Sequence, residues 1–201
     1  MKYTKAIRER FRSKPVFSLN ELRTFLSKSG ISDSYLRLLV HNMQKSGELK
    51  RITSGKYTFA DEMQVVGLAY APYYYGLQDA LSLHNLWEQE TVPVVITTRK
   101  ARGGKREFLG NNYVVRRIGR KYFFGYETVR YGDFWVNVSD KEKTLIDFAH
   151  FNVPLDGEAL DNLETGMRPE VMKEYLGRMP VRTRAKAVLL LNKAKRKKRK
   201  I

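Results

Sequence analysis

Apolar residues recur at helical spacing through the first sixty positions and at strand-like spacing through much of the middle of the chain. Ile7 and Phe11, four apart, give residues 3–12 one apolar face and predict a basic helix. Lys14-Pro15 ends it, because the ring of a proline pushes the preceding residue out of helical geometry. Ser18-Leu-Asn-Glu21 has the form of a capping box, and Leu22, Phe25 and Leu26 follow it on one face. Ser29-Gly30 stops that second helix. A third begins near Ser32 and carries Leu36, Leu39, Val40 and Met43 at i, i+3, i+4, i+7, ending at Ser46-Gly47. Two strand-like runs, 49–53 and 56–59, then flank Ser54-Gly55, which reads as a tight hairpin turn.

Helix, helix, short turn, helix, hairpin is the order of a winged helix-turn-helix, whose third helix enters the major groove while the hairpin lies along the backbone. Off the core stripe, the third helix presents Ser34, Arg37, His41 and Lys45, three to four apart on one polar face. Arg37 is placed to reach a guanine edge, with His41 and Lys45 further toward the backbone. Lys50, Arg51 and Lys56 on the hairpin face phosphates in this reading. The competing reading is a helical module with a charged exterior or a protein-binding role. No acidic residue follows Asp33 on the third helix, which favours DNA.

Beyond residue 61 the pattern alternates between types. It predicts a short helix at 77–86, a strand at 91–98 and an exposed basic loop at 99–106. Strands follow at 113–118, 121–129 and 134–138, with turns at Gly119-Arg120 and at 131–133. Ser139-Asp-Lys-Glu142 reads as a second capping box opening a helix that buries Leu145, Phe148 and Ala149. Further helices are expected at 156–163, at 169–176 with proline in the first turn, and at 180–195. The fold class is therefore α+β: a winged helix-turn-helix at 1–62, a mixed α+β domain at 63–192 and a basic tail at 193–201.

Charge sharpens this division. The chain carries a net charge of +17, distributed as 13 Lys/Arg against 4 Asp/Glu in residues 1–60, 14 against 17 in 61–177, and 11 against none in 178–201. Basic blocks at both ends point to a polyanion, and nucleic acid is the first candidate because each neutralised phosphate releases a counterion. The block 193–200 reads as a disordered segment available to phosphates. The absence of cysteine excludes disulfides and thiolate metal sites, and His41, His84 and His150 are too scattered to suggest zinc. No apolar run approaches the roughly 20 residues of a membrane span, so a cytoplasmic protein is expected. Ala101-Arg-Gly-Gly-Lys105 lacks phosphate-loop spacing, and Asp140 with Asp147, two helical turns apart, is thin support for a metal-dependent enzyme. No catalytic residue, cofactor or metal is assigned.

Two stretches resemble a known family. Tyr74-Tyr-Gly-Leu-Gln-Asp-Ala-Leu-Ser-Leu-His-Asn-Leu86 is similar to a Tyr-Tyr…Ala-Leu…His-Gly-Leu stretch of AbiEi-type antitoxins, with Asn85 where glycine is usual. Ser139-Asp-Lys-Glu-Lys-Thr-Leu-Ile-Asp147 resembles their Ser-Asp-x-Glu-Lys-Thr-Leu-x-Asp stretch, with Lys141 where proline is common; Phe123-Phe124-Gly125 lies between. The resemblance implies an autoregulator that binds operator DNA and counters a nucleotidyltransferase-like toxin. A homodimer is an open expectation. Read from the residues alone, Ser139 and Glu142 are explained as helix capping and Lys143–Asp147 as a helical charge pair. The alternative reading of the whole is an RNA-binding or ribosome-associated basic protein, and behind it an enzyme of nucleic-acid metabolism.

Overall fold

The apolar stripes of the first sixty residues converge on one core in the computed structural model, which describes residues 2–88 and 91–198. Helices α1 (Lys2–Phe11), α2 (Leu19–Leu26) and α3 (Asp33–Lys45) contribute Ile7, Phe11, Leu22, Leu26, Leu36, Val40 and Met43 to it. Leu39, the remaining member of the α3 stripe, is buried as well. Phe25 sits at the margin, its ring meeting Phe11 edge-on at 5.6 Å. The capping box at α2 is formed in full, Ser18 Oγ accepting from the Glu21 N–H and Glu21 accepting from the Ser18 N–H. Lys14 hydrogen-bonds the same carboxylate and, with Ser18, holds it down at about 2 against the effect of burial.

The predicted hairpin is β2 (Lys50–Thr53) and β3 (Lys56–Thr58). Sequence patterning does not reveal β1 (Phe17–Ser18), which pairs antiparallel with β3 and completes a three-stranded sheet of order β1-β3-β2. Two residues are too short for an alternation to register. Phe17 is nevertheless fully buried, its ring tilted against Phe11 and Phe59 with centroids 4.7 and 5.4 Å away.

The chain divides into two compact units, Met1–Ala71 with Glu107–Asn112, and Pro72–Arg106 with Tyr113–Ile201. Its larger sheet contains β4 (Tyr73–Tyr75), β5 (Val94–Thr97), β6 (Gly104–Phe108), β7 (Asn111–Arg117), β8 (Tyr126–Tyr131) and β9 (Phe134–Ser139), in the order β6-β7-β5-β4-β9-β8. β4 runs antiparallel to β5 and parallel to β9, while β5 and β7 are parallel. Helices α4 (Gln78–Leu83), α5 (Lys141–Phe151), α6 (Gly157–Glu164), α7 (Pro169–Arg178) and α8 (Val181–Lys198) complete a mixed α+β fold. α5 is buried from Glu142 through Ala149, and its Leu145, Ile146 and Phe148 share a core with Tyr74, Ile96, Leu163, Met172 and Ala187.

Four expectations need correction. The basic loop 99–106 gives way to strand β6 from Gly104; this is a sheet edge in which only Phe108 is buried, so polar residues mask the alternation. The strand expected at 121–129 begins only at Tyr126, because 120–122 form a 3₁₀ turn and Gly125 adopts φ +67°. Ser139 does not cap α5. Asp140 is the N-cap, accepting from the Lys143 N–H at 2.8 Å, while Ser139 Oγ turns inward to the Tyr75 carbonyl at 3.3 Å and to Thr144 Oγ1 at 2.7 Å. Finally, α8 continues through Lys198 into the segment read as a disordered tail. Lysine and arginine are good helix formers, and no glycine or proline follows Pro180 to stop the helix. Residues 199–201 of that tail lie outside the described residues.

Candidate nucleic-acid interface

The surface of α3 follows from how tightly its other face is held. Ser32 Oγ accepts from the Tyr35 N–H at 3.2 Å to start the helix, and the Leu49 N–H donates to the Met43 carbonyl at 3.0 Å where the chain leaves it. Arg23 on α2 grips Asp33 with two hydrogen bonds of 2.7 and 3.1 Å, which draws that carboxyl below its usual range. With Leu36, Leu39, Val40 and Met43 buried, Ser34, Arg37, His41 and Lys45 all stand exposed on the remaining surface. Leu38 stands beside them, 50% exposed. Nothing in the sequence pattern marks this leucine, which belongs neither to the core stripe nor to the polar set.

The hairpin cations part company. Lys50 is only partly accessible, its ammonium donating to the Phe59 carbonyl at 3.2 Å and pairing with Asp61 at 2.8 Å, so it braces the end of the hairpin. Arg51 is exposed and bends back to the Thr53 carbonyl at 3.4 Å. Lys56 is half-buried on β3. Near the base of α3, Glu48 is occupied by Arg8, whose hydrogen bond draws the carboxyl down.

The second unit brings together the two family-like stretches. The Tyr74 hydroxyl donates to Asp147 Oδ2 at 2.9 Å and accepts from Lys143 Nζ at 2.8 Å, and Lys143 also pairs with Asp147. All three side chains are fully buried. Burial presses the Lys143 ammonium down and the Asp147 carboxyl up, each resisted by the charge of the other. His84 reaches the Ser139 carbonyl through Nε2 at 2.8 Å. Glu142 is taken by Arg168 through the backbone N–H at 2.6 Å and the guanidinium at 3.0 and 3.1 Å; these bonds hold its carboxyl low despite burial. Asp140 serves the α5 cap and accepts from the Tyr175 hydroxyl at 2.9 Å. Asp140 and Asp147 therefore serve different partners. Among the described residues, no group of three or more His, Cys, Asp or Glu side chains is arranged to hold a metal ion, and no helix is long and apolar enough to cross a membrane.

Residues 5–60 match the model of the family described as a transcriptional regulator, AbiEi antitoxin. This is the family anticipated from the sequence, matched over the segment that contains α3 and the hairpin. Among solved structures, the RV2827C protein from Mycobacterium tuberculosis is similar in fold, with 13% identity and a TM-score of 0.58, over 89% of this chain and 72% of that one. No curated protein matches the chain.

Proposed function

We propose that the chain is a DNA-binding transcriptional regulator with an antitoxin role, in which residues 1–62 act as a winged helix-turn-helix. α3 is the recognition helix and the β2–β3 hairpin is the wing. One observation carries this reading: Ser34, Arg37, His41 and Lys45 share the exposed face of a helix locked from behind, within the segment that matches a transcriptional-regulator family. Arg37 is the base reader, bidentate to guanine. Leu38 supplies an apolar contact of the kind that recognises a thymine methyl. His41 and Lys45 with Arg51 and Lys56 meet the backbone, and Lys50 holds the hairpin at the angle this requires.

In the same reading, residues 63–192 carry the antitoxin function, which counters a nucleotidyltransferase-like toxin, and the basic end of the chain adds affinity without base reading. Repression is exerted on the chain's own operon, with two copies on paired half-sites. The test is a titration of the full chain against duplex DNA from upstream of its own gene, a shuffled duplex of equal length, and the corresponding RNA. The reading expects at least a tenfold preference for the upstream duplex over both others. Equal or tighter binding to the RNA contradicts it.

A further inference from the structure

A second concentration of positive charge belongs to the second unit. Between positions 99 and 121 the chain places nine Lys/Arg against one acidic residue, Glu107, inside a middle segment whose overall balance is negative. The fold gathers these cations from two stretches of chain. β5 and β7 are parallel, with Ile96 opposite Arg116 and Thr97 opposite Arg117, so both strands finish at the same end of the sheet. Arg99, Lys100 and Arg102 leave from the end of β5, while Arg117, Arg120 and Lys121 lie at and beyond the end of β7. The Ile118 N–H donates to the Thr97 carbonyl at 3.0 Å, which keeps the two exits side by side. Gly103 lies so near the Val115 carbonyl that a Cβ there would stand 3.3 Å from it, returning the loop to the same rim, where Lys105 is the second residue of β6.

Lys100, Arg102, Lys105, Arg117, Arg120 and Lys121 are all exposed, and none of them enters an ion pair among the described residues. Arg8, Lys14, Arg23 and Lys50 in the first unit each hold a carboxylate. A charge run is ordinarily a solvated face, but a solvated face normally intersperses both signs. Here like charges from separate segments leave the same end of the sheet, and among the described residues no carboxylate is ion-paired with the six exposed ones, a self-repulsion that a bound polyanion relieves. Lysine and arginine both serve phosphate, the latter through two parallel N–H donors.

We propose that this end of the sheet is a second nucleic-acid contact, a phosphate-backbone site for duplex DNA that works separately from α3. The choice of DNA as the polyanion rests on the function proposed above; the cluster itself does not. The site fixes position and adds affinity, and it reads no bases.

The test uses the full chain with K100Q, R102Q, K105Q, R120Q and K121Q combined, all at exposed positions, and thermal unfolding confirms that the fold is retained. Binding to a random duplex is followed between about 50 and 200 mM salt. At about −0.9 per neutralised phosphate, loss of these contacts flattens the log–log slope by roughly two to four units. Affinity at low salt falls at least tenfold, and the ratio of upstream to random duplex stays the same. Arg37→Ala run in parallel separates the two claims. A flattened slope beside an inert Arg37→Ala keeps this site and removes the α3 reading. An unchanged slope beside an active Arg37→Ala overturns this site and keeps α3. Competition by polyglutamate as effective as that of DNA at equal charge, or tighter binding to duplex RNA, overturns the assignment to DNA.

Discussion

Tyr74 and Asp147 lie 73 positions apart and are joined by a 2.9 Å hydrogen bond between fully buried side chains. Through it, and through Lys143, strand β4 is keyed to helix α5. The stretches that carry the family resemblance thus meet as a polar knot inside the core rather than as an exposed surface.

The knot makes an asymmetric prediction. Lys143→Met leaves the Asp147 carboxylate buried without its cation and is expected to cost about 3–5 kcal/mol. The double variant Lys143→Met/Asp147→Leu removes both charges and recovers much of that loss, because the pair attracts only enough to offset its own desolvation. Urea unfolding of Lys143→Met, Asp147→Leu and the double variant measures this. A double variant as unstable as the sum of the single changes would refute it.

Gly125 supplies a conformational test. Its φ is +67°, and a Cβ there would fall 2.6 Å from the Tyr175 ring and 2.9 Å from Lys143 Cβ, with Tyr175 already committed to Asp140. Gly125→Ala combines backbone strain with a clash, and an unfolding loss of about 2–4 kcal/mol is expected. Gly132 has φ +53° but open space around it, so Gly132→Ala is expected to lose only about 1–2 kcal/mol. Comparable losses at the two sites would leave the packing part of this explanation without support.

Asp79 gives the protein a pH dependence. Burial pushes its carboxyl up to about 7 against the help of a hydrogen bond from the Val94 backbone, and its Oδ2 has no hydrogen-bond partner among the described residues. The unfolded carboxyl titrates near 3.9. The folded state therefore holds the proton more tightly, and the resulting stability is complete below about pH 4 and is lost as pH rises through about 7. Asp79→Asn is expected to flatten that decline, with a gain over wild type above pH 7 on the order of 1–3 kcal/mol. Parallel pH profiles of melting temperature for the two proteins would argue against it.

How much of this was legible beforehand depended on range. The α3 stripe, the α2 capping box and the hairpin turn are local patterns, and the structure contains all three. The parallel pairing of β5 with β7 joins segments that no short-range signal relates. That is why the sequence shows a basic loop at 99–106 but nothing that joins it to the cations at 116–121. Lys143 and Asp147 have the spacing of a surface pair, and only Tyr74, brought from far along the chain, shows that they are core. Lys50 has the same sequence context as the other hairpin cations, and only the fold shows Asp61 and the Phe59 carbonyl holding its ammonium.

If α3 reads sequence through Arg37, a paired titration with specific and shuffled DNA shows it. Arg37→Ala and wild type are each titrated with the upstream duplex and with a shuffled duplex at one fixed salt concentration. A bidentate base contact is worth about 1–3 kcal/mol of discrimination, so the upstream-to-shuffled ratio is expected to fall by roughly 5- to 150-fold. An unchanged ratio, with both affinities reduced alike, would make Arg37 a backbone contact and leave α3 without a base reader.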